Sequence, residues 1–467
     1  MATHLALPPV QSDRVPSYQT ALRILHDEAY ALIDAWENEK EIVPLQNSAG
    51  LASKYRIATT KSTPEHDTSA MDGYALCSLL TKYASVDCPM KFCVRGSIGA
   101  GYRPRKIPEN GHVHEGATCS LDPCIKIATG ARFPDSAYPM PFDCCIKAED
   151  SRYMTHSDCP DGYPHVFIMK AAHRNMNKRL AGTDFQRGEE IIEAGDVIQL
   201  NHIMALASMG FTKIAIRKVP RIGVFSTGDE LLSPTEKRPD AQHISDTNGP
   251  FLVSSLRELG VRAEFLGVID DDHKSQVNAL AGKLEEFDII ITSGAASSGP
   301  WDHIPQALAS LNANVLFHRV AIRPGHPALF ATIPHKRLFR ANSTSAGDGS
   351  QGETIFFGLP GNPIAAAACF QFLVEPFINT LISKPCESPI RATVVGSDHI
   401  LGRRPIPRHL NVFRLGVLRT QERGAMVRLA DDSSPSKISP FLYSNCWVHI
   451  HPQEEIKDGA VVDVFIY

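Results

Sequence analysis

The feature that most constrains the fold is a run of alternating apolar and amphipathic segments between residues 218 and 385. Apolar strand patterns such as RIGVFSTG (221–228) and DIIITSG (288–294) alternate with helical patterns such as FLVSSLRELG (251–260). Strands that are apolar on both faces and separated by helices are typical of a parallel sheet with helices on both sides. The alternation therefore predicts an α/β domain over 218–385.

The segments on either side of this region predict further domains. A chain of 467 residues is too long for one hydrophobic core. Helical and turn patterns at 16–60 and 172–217 predict a discontinuous N-terminal helical and linking domain, and short strand patterns at 61–171 predict a β-rich domain inserted into it. Strand patterns without helices at 386–467 predict a C-terminal β-domain resembling a barrel. The predicted fold class is multidomain α/β plus β, with a polar surface insertion at 335–353.

Charge and hydropathy exclude several classes of protein. The 47 basic and 51 acidic residues give a net charge of −4, which does not favour a nucleic-acid or membrane-surface binder. No apolar run approaches the roughly 20 residues of a membrane span. The N-terminus lacks the basic and apolar regions of a secretory signal. We therefore expect a cytoplasmic protein with no nucleic-acid partner and no membrane span.

Cysteines are concentrated in one part of the chain. Eight of the 11 lie between positions 77 and 159, and His112 and His114 lie in the same stretch. No C-x-x-C pair is present, although structural zinc sites usually contain such pairs. We expect reduced, mostly buried thiols that behave as small apolar side chains, with a metal site as the alternative.

Three glycine-rich loops follow predicted strands of the α/β region. They are STGDEL at 226–231, TSGAASSGP at 292–300 and GLPGNP at 358–363. In a parallel α/β sheet, ligands bind beyond the carboxyl ends of the strands. Glycines let backbone N–H groups approach a ligand closely, and a following helix N-terminus favours an anion. A single such loop is often only a turn, but the three together predict a site for a phosphate or a similar oxyanion.

Acidic residues lie close to the same loops. Asp229 and Glu230 follow the first strand, and Asp246 precedes a helix in SDTNG. One interpretation is a Mg²⁺ ion held by one or two carboxylates together with ligand phosphates. The alternative is that Asp246 simply caps the helix. A second small polar cluster lies far away in the sequence, in HDTSAMDGYAL at 66–76: Asp67, Ser69 and Asp72.

Taken together, these motifs resemble those of the MoeA family, whose eukaryotic relatives include the gephyrin E domain and the molybdenum insertases. The resemblance covers about 16–467 and rests on HDTSAMDGYAL, STGDELL, SDTNG, ITSGAASSGPWD, RPGHPALF and FGLPGNPIAA. It implies an elongated four-domain subunit in a homodimer, with the active cleft near the subunit boundary. It also implies that molybdate is inserted into molybdopterin while the adenylylated pterin is hydrolysed, with Mg²⁺ as the cation.

The resemblance assigns candidate roles to individual positions. The candidate catalytic residues are Asp72, Asp229, Arg323 and His326. The candidates for binding the substrate or its phosphates are Ser69, Thr129, Gly130, Thr227, Gly228, Ser293, Gly294, Ser297, Ser298, Gly361 and Asn362. The candidate metal ligands are Asp229 and Asp246.

Four cleft motifs differ from the usual family pattern. GGVSxGD is replaced at 294–300 by a sequence ending in proline, KPGKP reads RPGHP, GED reads GTD at 182–184, and QGSG is replaced by SSPSK at 433–437. Three hypotheses follow. The first is a molybdenum insertase, and the second is a repurposed enzyme that acts on another small metabolite. The third is a non-catalytic scaffold, which would show an exposed apolar groove instead of a polar cleft.

Overall fold

The computed structural model describes most of the chain and begins with a helix. The described residues are 15–102, 120–135, 140–155, 158–159, 163–232, 243–294, 302–336, 351–397, 409–422, 424–432, 434–454 and 456–467. Helix α1 (Tyr18–Ala35) starts at Ser17, whose Oγ accepts a hydrogen bond from Thr20 N (3.1 Å). Three short strands follow it: β1 (Lys40–Pro44), β2 (Ile57–Ala58) and β3 (Thr68–Ser69).

A six-stranded sheet forms the predicted β-rich insertion. Its strands are β4 (Gly73–Leu76), β5 (Met90–Ile98), β6 (Pro123–Ile127), β7 (Cys144–Lys147), β8 (Ser151–Met154) and β9 (His165–Ile168). Their order across the sheet is β7-β4-β6-β5-β9-β8. Cys144 and Cys145 belong to the apolar clusters on opposite faces of this sheet. The described cysteines between 77 and 159 are free thiols, and all except Cys88 are buried, as expected.

The chain then returns to the strands that precede the insertion. The returning elements are β10 (Lys178–Arg179), β11 (Glu190–Ile192), α2 (Leu200–Ser208) and β12 (Lys213–Arg217). Strands β10, β11 and β12 pair antiparallel with β3, β2 and β1, respectively. This pairing joins the two pieces of the N-terminal region, whereas the exact domain boundaries stay a prediction.

The α/β region contains a second six-stranded sheet with helices around it. The elements of the whole region are β13 (Arg221–Thr227), β14 (Leu231–Leu232), β15 (Ile244–Ser245), α3 (Asn248–Glu258), β16 (Arg262–Ile269), α4 (His273–Ala281), β17 (Ile289–Ser293), α5 (Ile304–Ser310), β18 (Asn314–His318), β19 (Ile322–Arg323), β20 (Leu329–Lys336), β21 (Gln351–Leu359), α6 (Pro363–Cys369) and α7 (Glu375–Leu381). The order is β16-β13-β17-β21-β20-β18.

This sheet corrects the prediction in one respect. Strands β16, β13, β17 and β21 are parallel, but β20 and β18 run antiparallel to their neighbours. Connectivity explains the direction of β18 and β20, because residues 319–328 join them without the helical crossover that parallel neighbours require. Strands β20 and β21 also extend into the predicted insertion at 335–353, and its central part (337–350) lies outside the described residues.

Helices α6 and α7 form one apolar segment, interrupted by a π-helical turn at Phe370–Val374. The segment Pro363–Leu381 has a mean hydropathy of 1.4 and is long enough to cross a membrane. The expectation that no apolar run approaches that length is therefore wrong. However, 83% of its most apolar stretch is buried inside the protein, which is typical of a core helix.

The C-terminal strands close into a small barrel, as predicted. The elements are β22 (Ile390–Val394), β23 (Asn411–Gln421), β24 (Gly424–Leu429), α8 (Ser439–Leu442), β25 (Cys446–Ile450) and β26 (Val461–Ile466). The order β23-β24-β22-β26-β25 closes because β25 also pairs with β23. Strand β19 pairs with β23 as well, and this joins the barrel to the α/β region.

Candidate active site

The three glycine-rich loops leave the sheet side by side. Strands β13, β17 and β21 are adjacent and parallel, and they end at Thr227, Ser293 and Leu359. Thr227 Oγ1 donates a hydrogen bond to Ser293 O (3.3 Å), and Gly294 N donates to Leu359 O (3.0 Å). The carboxyl edge of the parallel strands therefore brings together the predicted residues of all three loops. Two predicted residues of the second loop lie outside the described residues: Ser297 and Ser298.

Asn248, at the start of α3, ties two of these loops together. Its Nδ2 donates hydrogen bonds to Ser293 Oγ (2.6 Å) and to Gly361 O (2.8 Å). The side chain is buried, so no water competes freely for these bonds. Asn248 therefore fixes the spacing between the second and third loops.

Replacing Asn248 with Ala should lower the free energy of unfolding by about 1–3 kcal/mol, because the buried Ser293 hydroxyl and the Gly361 carbonyl lose their donor. Urea denaturation of the variant measures this change. Asn278→Ala is the matched control, because Asn278 is exposed on α4. Equal denaturation midpoints for the two variants would contradict the bridging role.

Asp246 is held by protein donors on both carboxylate oxygens. Oδ2 accepts from Ser226 Oγ (2.7 Å), and Oδ1 accepts from the N–H groups of Asn248 (3.0 Å) and Gly249 (3.2 Å). The carboxylate thus caps α3, which is one of the two roles expected of it. Its role as a metal ligand stays a prediction.

Asp229 lies in a different group of carboxylates, which we call the acidic group: Asp229, Glu230, Asp271 and Asp302. Asp229 Oδ1 accepts a hydrogen bond from Asp271 N (2.8 Å), at the end of neighbouring strand β16. Burial, together with the negative charges of Asp229, Glu230 and Asp302, raises the pKa of Asp271 to about 6. Asp271 Oδ1 is buried and has no hydrogen-bond partner.

The acidic group has the chemistry of a Mg²⁺ site. Oxygen ligands suit this ion, and a cation would relieve the repulsion that raises the pKa of Asp271. No three of these carboxylates bring their ligand oxygens within 4.8 Å of one another. Such an open arrangement is compatible with Mg²⁺, which binds through one or two carboxylates and keeps other positions for water or phosphate. Sequence reasoning missed Asp271, although the DDD run at 270–272 directly follows strand β16.

The raised pKa of Asp271 predicts that, without a bound cation, the wild type and the Asp271→Asn variant differ in stability by an amount that depends on pH. The folded state binds the proton more tightly than the unfolded state, so this group destabilises the fold as the pH rises from about 4 to 6. Asp271→Asn should therefore be more stable than the wild type at pH 7.5, with the difference vanishing near pH 4. Urea midpoints at both pH values test this, and a constant difference would contradict it.

Arg323 and His326 lie in the RPGHP turn at the same edge. This turn leads into β20, whose first residue, Leu329, pairs with Gly358 just before the third loop. His326 Nδ1 donates a hydrogen bond to Val320 O (2.7 Å), so Nε2 is the ring nitrogen left to face a ligand. The exposed Arg323 provides a fixed positive charge beside it.

A further loop reaches the same edge from the C-terminal region. Ile364 N, at the start of α6, donates to Pro435 O (2.9 Å). The loop carries the Ser434 and Ser436 hydroxyls, 3.2 Å apart, and the exposed Lys437 ammonium. Hydrogen-bond donors are thus present beside the third loop, although SSPSK replaces the usual QGSG motif here.

The remaining candidates form a second cluster on the inserted sheet. Asp72 Oδ1 accepts from Thr129 N (2.8 Å), and Gly130 N donates to Ser69 O (2.8 Å). Asp67 is paired with Lys178 Nζ (2.8 Å). The predicted residues therefore form two clusters, one on the inserted sheet and the other at the edge of the α/β sheet.

Comparisons with known proteins identify relatives over most of the chain. Residues 16–210 match the family model described as "MoeA N-terminal region (domain I and II)", and residues 223–380 match "Probable molybdopterin binding domain". The molybdopterin molybdenumtransferase of Staphylococcus aureus (strain COL) is 29% identical over 428 residues, which cover 91% of this chain and 90% of that protein. The enzyme of the same name from a Nostoc species is 27% identical over 345 residues, covering 74% and 70%.

Solved structures agree on the fold. A crystal structure of the molybdopterin biosynthesis moeA protein from Pyrococcus horikosii superposes with a TM-score of 0.69 and 23% identity, covering 97% of this chain and 99% of that chain. With sequence matches in both halves and the same architecture throughout, this chain belongs to the MoeA family.

Proposed function

We propose that this protein is a molybdenum insertase, which transfers molybdate to molybdopterin and acts on the adenylylated pterin with the help of Mg²⁺. The observation that carries the proposal is the acidic group beside three adjoining glycine-rich loops. An adenylylated pterin carries phosphates, and these loops offer backbone N–H groups to such an anion. The acidic group suits the cation that accompanies phosphate.

Each part of the edge has a distinct task in this proposal. Asp229 and Asp271 would hold Mg²⁺, which would neutralise charge on the phosphate oxygens. Arg323 would hold molybdate through charge-assisted hydrogen bonds. His326, held in place by its hydrogen bond to Val320 O, would use Nε2 to hydrogen-bond the substrate.

The two clusters of candidate residues suggest that the complete cleft forms between two subunits of a homodimer. An apolar face also needs cover, because Leu200 and Met204 on α2 are both 78% exposed. In the proposed dimer, the Asp72 cluster of one subunit would face the α/β edge of its partner.

Light scattering at micromolar concentration should therefore give about twice the chain mass of 51.1 kDa. The physical reason is the burial of apolar surface that a lone subunit leaves in water. A monomer throughout that concentration range would contradict the dimer and any cleft shared by two subunits.

Rescue of molybdoenzyme activity tests the function directly. The chain is expressed in the cytoplasm of cells that lack their own insertase, and restored molybdoenzyme activity supports the proposal. With the purified protein, molybdate should stimulate the release of AMP from adenylylated molybdopterin. Failure of both assays, with the protein folded, would contradict an insertase.

A second candidate function is a repurposed enzyme acting on another small metabolite. It is favoured by His326, an imidazole tied to Val320 O at a position where the family usually has lysine. The double change Pro300→Asp and His326→Lys restores the family residues. It should maintain or raise insertase activity, but it should lower the native activity of a repurposed enzyme, whose cleft fits a different ligand.

A further inference from the structure

The outer face of the C-terminal barrel carries three metal-ligating side chains that the proposed function does not use. The ligand atoms of His449, His451 and Asp463 all lie within 4.8 Å of one another. We propose that these three residues bind one divalent transition-metal ion. The chemistry of the ligands favours Zn²⁺. This site is separate from the acidic group and has a different ligand chemistry.

Strand geometry places the three side chains on one face. His449 and His451 are two residues apart in sequence, so their side chains point the same way. His449 pairs directly with Asp463 across the β25–β26 ladder. The rings of the two histidines lie 4.0 Å apart, centroid to centroid. The β25–β26 ladder therefore fixes His449 and Asp463, and His451 directly follows β25.

Neighbouring residues orient the ligands in the way that protein metal sites require. His449 Nε2 donates a hydrogen bond to Asn411 Oδ1 (2.9 Å), which leaves the Nδ1 lone pair for a metal. Asn411 and His449 are both buried, so this orienting hydrogen bond is shielded from water. Arg391 Nη1 donates to Asp463 Oδ1 (2.9 Å) and holds that carboxylate in place.

The ligand set indicates which ion fits. Two imidazole nitrogens and one carboxylate oxygen suit Zn²⁺, whereas Ca²⁺ and Mg²⁺ prefer oxygen ligands alone. The side chains of His451 and Asp463 are 43% and 15% exposed, so a water molecule can complete the coordination. His451 Nε2 and Asp463 Oδ2 now share a hydrogen bond of 2.9 Å, and Zn²⁺ would take the place of its proton. The charge of Arg391 opposes the ion only weakly, because that side chain is 64% exposed to water.

Calorimetric titration of the chelator-treated full chain with ZnCl₂ tests the site. One Zn²⁺ per chain should bind, and His451→Ala and Asp463→Asn should each weaken this binding at least tenfold. His449 is left unchanged, because it packs against Phe413 and its replacement would also remove core contacts. His173→Ala is the control, since His173 lies in an exposed segment after the inserted sheet.

Co²⁺ provides a spectroscopic check on the ligands. In the Co²⁺-loaded chain, visible d–d bands should appear without a thiolate charge-transfer band, and Asp463→Asn should alter them. Equal Zn²⁺ affinity in the wild type and both site variants would overturn the proposal. A strong thiolate band would also overturn it, because the ion would then be bound by cysteines.

Discussion

Replacing Asp271 with Asn should lower molybdate-insertion activity by about 10- to 100-fold, the usual cost of altering a metal ligand or its supporting shell. The change removes the charge from a half-buried carboxyl group that three other acids surround, and it nearly conserves side-chain volume. Without that charge, the acidic group should bind Mg²⁺ more weakly. Activity measured over a range of Mg²⁺ concentrations should therefore show a higher Mg²⁺ requirement.

The neighbouring Asp272 provides the matched control. Its carboxylate accepts hydrogen bonds from Lys274 N and Ser275 N and caps α4, a role that Asn also performs. Asp272→Asn should retain normal activity and Mg²⁺ dependence. Asp246→Asn tests whether Asp246 binds the cation as well as capping α3. A raised Mg²⁺ requirement in this variant would show that Asp246 is also a ligand. An unchanged Mg²⁺ requirement in Asp271→Asn would show that the acidic group does not hold the cation.

The layered α/β region could be predicted from sequence because strand burial and helix periodicity are local properties. The direction of the last strands could not, because VLFH and ALFATI read alike whether parallel or antiparallel. For β18 and β20, the ten-residue connection at 319–328, which contains no helix, decides it. The apolar length of Pro363–Leu381 would by itself suggest a membrane-spanning helix. Composition does not show that the protein core surrounds this helix.

Candidate site residues can be predicted from sequence where they lie directly after the end of a strand. The three loops and Asp229 were found for that reason. Asp271 was not, because an acidic run usually marks an exposed turn, and which of its three carboxylates points to the edge depends on the backbone. The contact between Asp72 and Thr129 spans 57 positions, so no local pattern can show it, and only the family resemblance suggested it.

Gly294→Ala should cause the largest loss among changes outside the acidic group. Gly294 has a φ of +102°, which strains any residue with a Cβ. An added Cβ would lie 2.6 Å from Thr227 O and nearer still to Thr227 Oγ1. The first and second loops would have to separate, at a cost of about 1–3 kcal/mol in the free energy of unfolding. Because displacing catalytic groups by about 1 Å can cost roughly 100-fold in rate, we expect a loss of that order in the molybdate-dependent assay.

The control is Gly282→Ala at the end of α4. Gly282 has a helical φ of −68°, and an added Cβ would lie 3.3 Å from the carbonyl oxygen of Asn278. Alanine suits such a position better than glycine, so stability should hold or rise slightly and activity should not change. Urea midpoints and initial rates for both variants make the comparison. If Gly294→Ala retains full activity, the close approach of the first two loops is not needed for catalysis, and the substrate phosphates must bind elsewhere.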